Sequence, residues 1–127
     1  MEEALYAHLA GNGGLRSLVA DHLEWAVRGD APCVALHLIT AQPDTTLAGQ
    51  SGLVEARVQI DCWADTFLKA KQIGAAVIAA LPERRTVVAG VRFLACTILD
   101  LDRQRLGETP NQLHRTRIDV RVAYQTA

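Results

Sequence analysis

The chain has 127 residues, with 13 Lys plus Arg against 14 Asp plus Glu and a formal net charge of −1. That length predicts a single domain over residues 1–127, large enough to bury a core without a disulfide or metal staple. An apolar content of 50% against 21% charged fits a globular protein and excludes a disordered one, while the near-zero balance removes the simplest case for nucleic-acid binding, which needs an excess of cations. Lys69 and Lys71 are the only lysines, so the cations are mostly Arg, the type favoured at protein interfaces. Met1-Glu2-Glu3-Ala4-Leu5 lacks the basic and apolar regions of a secretory signal. The apolar stretch at 75–81 is too short to span a bilayer. The expectation is synthesis in the cytoplasm without membrane insertion. Cys33, Cys62 and Cys96 are odd in number, lie in apolar runs, and have no zinc-site spacing; they are expected to be reduced core residues.

In chain order, residues 2–10 place Leu5, His8 and Leu9 on one helical face, with acids in the first turn. Gly11-Asn12-Gly13-Gly14 stops that helix, and Leu15, Leu18 and Val19 restart a short helical turn. Residues 22–27 read as a strand or extended arm, Gly29-Asp30 as a turn, and 33–40 as an apolar strand opened by Pro32. Residues 42–52, with Pro43, Asp44, two threonines and two glycines, read as a long polar loop. Val54, Ala56, Val58, Ile60 and Cys62 then alternate with Glu55, Arg57, Gln59, Asp61 and Trp63, which predicts a strand with one apolar and one charged face.

Asp65 is the expected N-cap of the main helix. Phe67, Ala70, Ile73, Ala76 or Val77, and Ala80 or Leu81 recur at helical spacing, ending before Pro82. Residues 85–88 and 91–99 around Ala89-Gly90 predict a tight hairpin. Residues 100–112 read as a second polar loop. The last strand, 115–124, turns Ile118, Val120, Val122 and Tyr124 inward and Arg117, Asp119, Arg121 and Ala123 outward. This order predicts an α+β fold: a mostly antiparallel sheet with one long helix and a short N-terminal helix packed on it.

No catalytic constellation emerges. Gly11-Asn12-Gly13-Gly14 resembles a phosphate-cradling loop, but no strand precedes it and no Lys-Ser/Thr follows, so a helix stop and turn is the favoured reading. Asp100, Asp102 and Glu108 could approach a cation, but carboxylates near a strand end are more often solvated. His8, His22, His37 and His114 are scattered over four elements, and none sits in a nucleophile motif. No catalytic residue, cofactor site or metal site is therefore expected. Outward Arg57, Arg92, Arg115, Arg117 and Arg121, mixed with Glu55, Asp61 and Asp119, allow two readings. One is a solvated sheet face with weak cross-strand ion pairs. The other is a docking surface, favoured by an exposed Trp63 on the same face as Arg57. The residues alone do not separate these readings.

The layout as a whole resembles a known family. "LRSLVADHL" is followed by "APCVALHLI", by "DTTLAGQSGL", by the strand-to-helix passage "EARVQIDCWADTFLKAKQIGAAVIAAL", and by the late "HRTRIDVRVAY". This order is similar to the tail terminator (tail completion) proteins of long-tailed bacteriophages and of gene transfer agents. The resemblance implies a non-enzymatic virion subunit that forms a homohexameric ring on the head-proximal end of the tail tube. The ring ends tube polymerisation and joins the tail to the head connector or stopper protein. DNA passes through it without sequence-specific binding. The expected location is the host cytoplasm during assembly, then the neck of the particle. The interface residues singled out are Asp44, Thr45, Thr46, Leu47, Arg57, Trp63, Arg103, Arg105, Arg115 and Arg117. Another neck or head-completion subunit, and a small ligand-binding or enzymatic α+β domain, are the alternatives.

Overall fold

The computed structural model describes residues 1–26, 30–46, 49–106 and 113–126, with the backbone alone for 44–46, 49–51, 105 and 106. The strongest alternation in the sequence forms the centre of its sheet. Strand β3 (Gly49–Ala64) lies antiparallel to β6 (Leu113–Thr126), with Val58 opposite Val120 and Ile60 opposite Ile118. All four side chains are fully buried. They show the period-two burial that one apolar face of a strand requires. Outside this pair lie β2 (Cys33–Thr46), antiparallel to β3, and β5 (Val91–Leu106), antiparallel to β6. Two three-residue strands complete the sheet: β1 (Leu23–Trp25), parallel to β2, and β4 (Thr86–Val88), antiparallel to β5. The strand order is β1-β2-β3-β6-β5-β4.

Three helices cover the apolar face: α1 (Glu2–Ala10), α2 (Gly13–Val19) and α3 (Phe67–Ala80). Leu5, Leu9 and Leu15 from the first two share one core with Leu36, Ile60, Val77 and Ile118. In α2 the Asn12 side chain accepts from the Leu15 N–H at 2.9 Å. Gly13 and Gly14 are therefore the first turn of a helix as well as the end of a stop signal. Helix α3 ends one residue ahead of Leu81 and two ahead of Pro82, as proline dictates. Its cap is Thr66, whose Oγ1 accepts from the Lys69 N–H at 3.2 Å, and not Asp65. Ala70, Ile73, Gly74, Val77 and Ala80 form the buried face, whereas Phe67 is 53% exposed. A Cβ on Gly74 would lie 2.7 Å from Thr116 Cγ2. The helix thus crosses β6 too closely for any side chain there, and the Thr116 hydroxyl donates to the Ala70 carbonyl at 3.0 Å.

This architecture corrects the expected one. The sheet is mixed, because β1 runs parallel to β2, and it carries three described helices in place of one long and one short. Strands of 14 to 16 residues, no shorter than the 14-residue α3, dominate the chain. Much of the error lies in the two polar segments read as loops. β2 continues to Thr46 and β3 starts at Gly49, while β5 continues to Leu106 and β6 starts at Leu113. Polar residues fill these strand ends because they are exposed, as Gln42, Pro43 and Asp102 to Gln104 are, so neither face needs to be apolar. The anticipated tight hairpin at Ala89-Gly90 is present. Both residues have positive φ (50° and 80°), the conformation a two-residue turn between twisted strands requires.

The four long strands form two hairpins, β2–β3 and β5–β6, each with its outer strand first. Since β3 and β6 are antiparallel, the hairpins turn at opposite ends of the sheet. Each outer strand is bulged at an equivalent place. Leu38 pairs with Val58 but Thr40 with Arg57, and Ile98 pairs with Val120 but Asp100 with Asp119. A local two-fold axis through the Val58–Val120 pair therefore relates one hairpin to the other.

Candidate functional site: the helix-free face and the hairpin ends

The face of the sheet turned away from the helices is polar. Successive rows across β2, β3, β6 and β5 read Cys33-Trp63-Arg115-Gln104, then Ala35-Asp61-Arg117-Asp102, then His37-Gln59-Asp119-Asp100. Although no helix covers it, Ala35 is fully buried there and Asp61 is 4% exposed. The face is a trough in which long side chains roof the short ones. A hollow of about 210 Å³ spans all four strands, from Thr40 and Arg57 to Arg121 and Leu99.

Polar contacts order this trough. Gln59 Nε2 donates to both Asp61 carboxylate oxygens at 3.1 Å, and His37 Nε2 lies 3.5 Å from Asp61 Oδ2. Arg117 sits between Asp100 at 3.8 Å and Asp102 at 3.7 Å, and Arg57 approaches Asp119 at 3.7 Å. Arg115 donates to Gln104 at 2.6 Å and holds its guanidinium 5.5 Å from the centroid of the Trp63 ring. Trp63 is consequently half-buried and stacked by Arg115 from the neighbouring strand, not an exposed residue beside Arg57. Asp61, one of the acids mixed with the outward arginines, is held by Gln59 and His37. The Asp100–Asp102 pair is satisfied by Arg117, and Glu108 lies outside the described residues. Among the described residues no group of three or more His, Cys, Asp or Glu could hold a metal, and no helix is long and apolar enough to cross a membrane.

The anticipated interface residues fall in three places. Arg57, Trp63, Arg115 and Arg117 share the trough. Asp44, Thr45 and Thr46 belong to the last part of β2, at one end of the sheet; Leu47 lies outside the described residues. Arg103 and Arg105 lie on β5 at the other end. Arg103 is on the helix side, where it lines a pocket of about 340 Å³ with Phe67, Ala70, His114 and Thr116. His114 meets the Phe67 ring edge-on at 6.3 Å. Burial pushes the Cys62 thiol strongly upward, with Asp61 and Cys33 adding to it, and raises Cys96 to about 11. Cys33 and Cys62 are the core residues expected, while Cys96 is only half-buried.

Sequence reading missed the exposed aliphatic pairs Leu38-Ile39 and Ile98-Leu99, which are 40% and 50%, and 40% and 41%, exposed. Both sit at the bulges. An apolar residue out of step with its strand's alternation, as Ile39 and Leu99 are, was the available signal.

The described chain is a small α+β subunit with ordered polar contacts over one sheet face. The chain is a member of the family described as tail completion protein gp17, whose model matches residues 3–125. Its role is accordingly a structural one, tail completion in the virion. A solved chain from "Virion of native gene transfer agent (GTA) particle" has the same fold: TM-score 0.75 at 21% identity, covering 98% of this chain and 94% of that one. No curated protein matches the sequence.

Proposed function

We propose that copies of this chain close into a ring, a homohexamer, on the head-proximal end of the tail tube. The ring stops tube polymerisation and offers its other rim to the head connector or stopper protein. The single observation that supports this is the opposed direction of the two hairpins. The sheet presents the end of β2–β3, with Asp44, Thr45 and Thr46, at one end and the end of β5–β6, with Arg103 and Arg105, at the other. A subunit that must grip two different partners along one axis needs two such ends. The trough suits a channel wall that DNA slides past. Its arginines are matched by acids, so little net attraction for phosphate remains. In this reading the protein has no enzymatic activity, assembles in the host cytoplasm and ends in the neck of the particle.

Light scattering with purified tail tubes tests the proposal. The expected result is a ring, either alone or on tube ends, and tubes that no longer elongate. A stable monomer that ignores tube ends would overturn it. Replacing residues 44–49 by a Gly/Ser linker is expected to leave the fold intact and abolish assembly at one partner only; wild-type assembly would remove that hairpin from the interface.

A further inference from the structure

The outer strands of the sheet are only partly paired. β1 covers β2 at Val34, Ala35 and Leu36, and β4 covers β5 at Val91, Arg92 and Phe93. Beyond these points, among the described residues, β2 from Leu38 and β5 from Ala95 to Leu106 have no further strand beside them in the sheet. Such an edge exposes backbone donors and acceptors and is a template for another strand. Each open edge carries a bulge with an exposed aliphatic pair, Leu38-Ile39 on β2 and Ile98-Leu99 on β5.

We infer that the open edge of β2 in one copy pairs with the open edge of β5 in the next, making one continuous antiparallel sheet through the assembly. This rests on the ring reading above and specifies its joint. Strand direction supports it, because β2, β3, β6 and β5 alternate, so β5 of one copy meets β2 of the next antiparallel with no change of pattern. Charge selects the partner edge. Asp100 and Asp102, with side chains 60% and 49% exposed, would face their own copies in a β5–β5 joint. Against β2 they face an open part that carries a single acid, Asp44, and has Arg57 one strand further in, opposite Thr40. A joint between two different edges is heterologous, the kind that closes into rings. The covered segments also force neighbouring copies to shift along the strands, and a shift of that kind tilts the strands of a closed barrel.

Cross-linking tests the joint. In a Cys96→Ala background, Ile39→Cys and Leu99→Cys are made singly and together, with far-UV circular dichroism confirming the fold. A short bis-maleimide is applied to the full chain, alone and with tail tubes. Mixing the two single variants is expected to give cross-linked dimers and nothing larger, and the double variant a ladder that stops at one closed size. Assembly by light scattering without the mixed dimer would overturn the joint and leave the ring standing. Failure of the uncross-linked protein to assemble, alone or on tube ends, would overturn the ring reading and the joint with it. As a second arm, Ile39→Lys with Leu99→Lys is expected to leave the melting temperature unchanged and abolish assembly; retained assembly would overturn the joint.

Discussion

The two faces of this sheet are built from the same four strands and obey different rules. On the helix side, burial of Val58, Ile60, Ile118 and Val120 is complete and the backbone of α3 rests directly on Thr116. On the other side, burial is local and achieved by polar side chains lying over one another, as Arg115 lies over Trp63. The first face is fixed by shape, where volume errors are costly. The second is fixed by charge pairs of small individual worth, which can be exchanged for contacts with a neighbour. Stability and assembly should therefore separate by face.

The largest effect on stability is expected from Ile60→Ala, at about 2–4 kcal/mol lost in urea unfolding, because the side chain is fully buried at the centre of the sheet. A cost near zero would abolish the distinction. Gly74→Ala comes next, at about 1–3 kcal/mol, since the added methyl meets Thr116 at 2.7 Å and helix and strand must part; Thr116→Ser, which removes the contacting methyl, is expected to recover part of that loss. On the polar face, Arg57→Ala should change stability by no more than about 0.5 kcal/mol, its side chain being 50% exposed. A clear drop in tube capping by the same variant would sharpen the contrast. The smallest effect is chemical. The Cys96 thiol, raised to about 11 by burial, should alkylate slowly at neutral pH. Its rate should climb about tenfold per pH unit until pH nears that value, as the thiolate fraction does. The buried Cys62 should react only on unfolding.

Legibility in the sequence follows the same division. β3 and the inward residues of β6 could be read directly, because one apolar face against one polar face leaves a period-two pattern. The end of α3 was readable from Pro82. The outer halves of β2 and β5 were not, because strand ends that project beyond the core have no apolar face to betray them, and Pro43 and Asp44 look like a turn. Thr66 and Asp65 are both competent caps one residue apart, and only the backbone decides between them. The outward direction of Trp63 was evident, but its half-burial was not. That depends on Arg115, 52 positions later, lying opposite it, and cross-strand register is a tertiary fact.

The opposed hairpins have a mechanical consequence. β3 leaves its turn at one end of the sheet and β6 leaves its turn at the other, and the two are paired from Leu53–Gln125 to Ala64–His114. A pull that separates the two ends draws β3 and β6 past each other along their length. The load then falls on the whole ladder of hydrogen bonds at once, in shear, and not on one bond after another as in unzipping. A subunit held at both ends, as the proposed ring between tube and connector would hold it, resists tension best in that geometry.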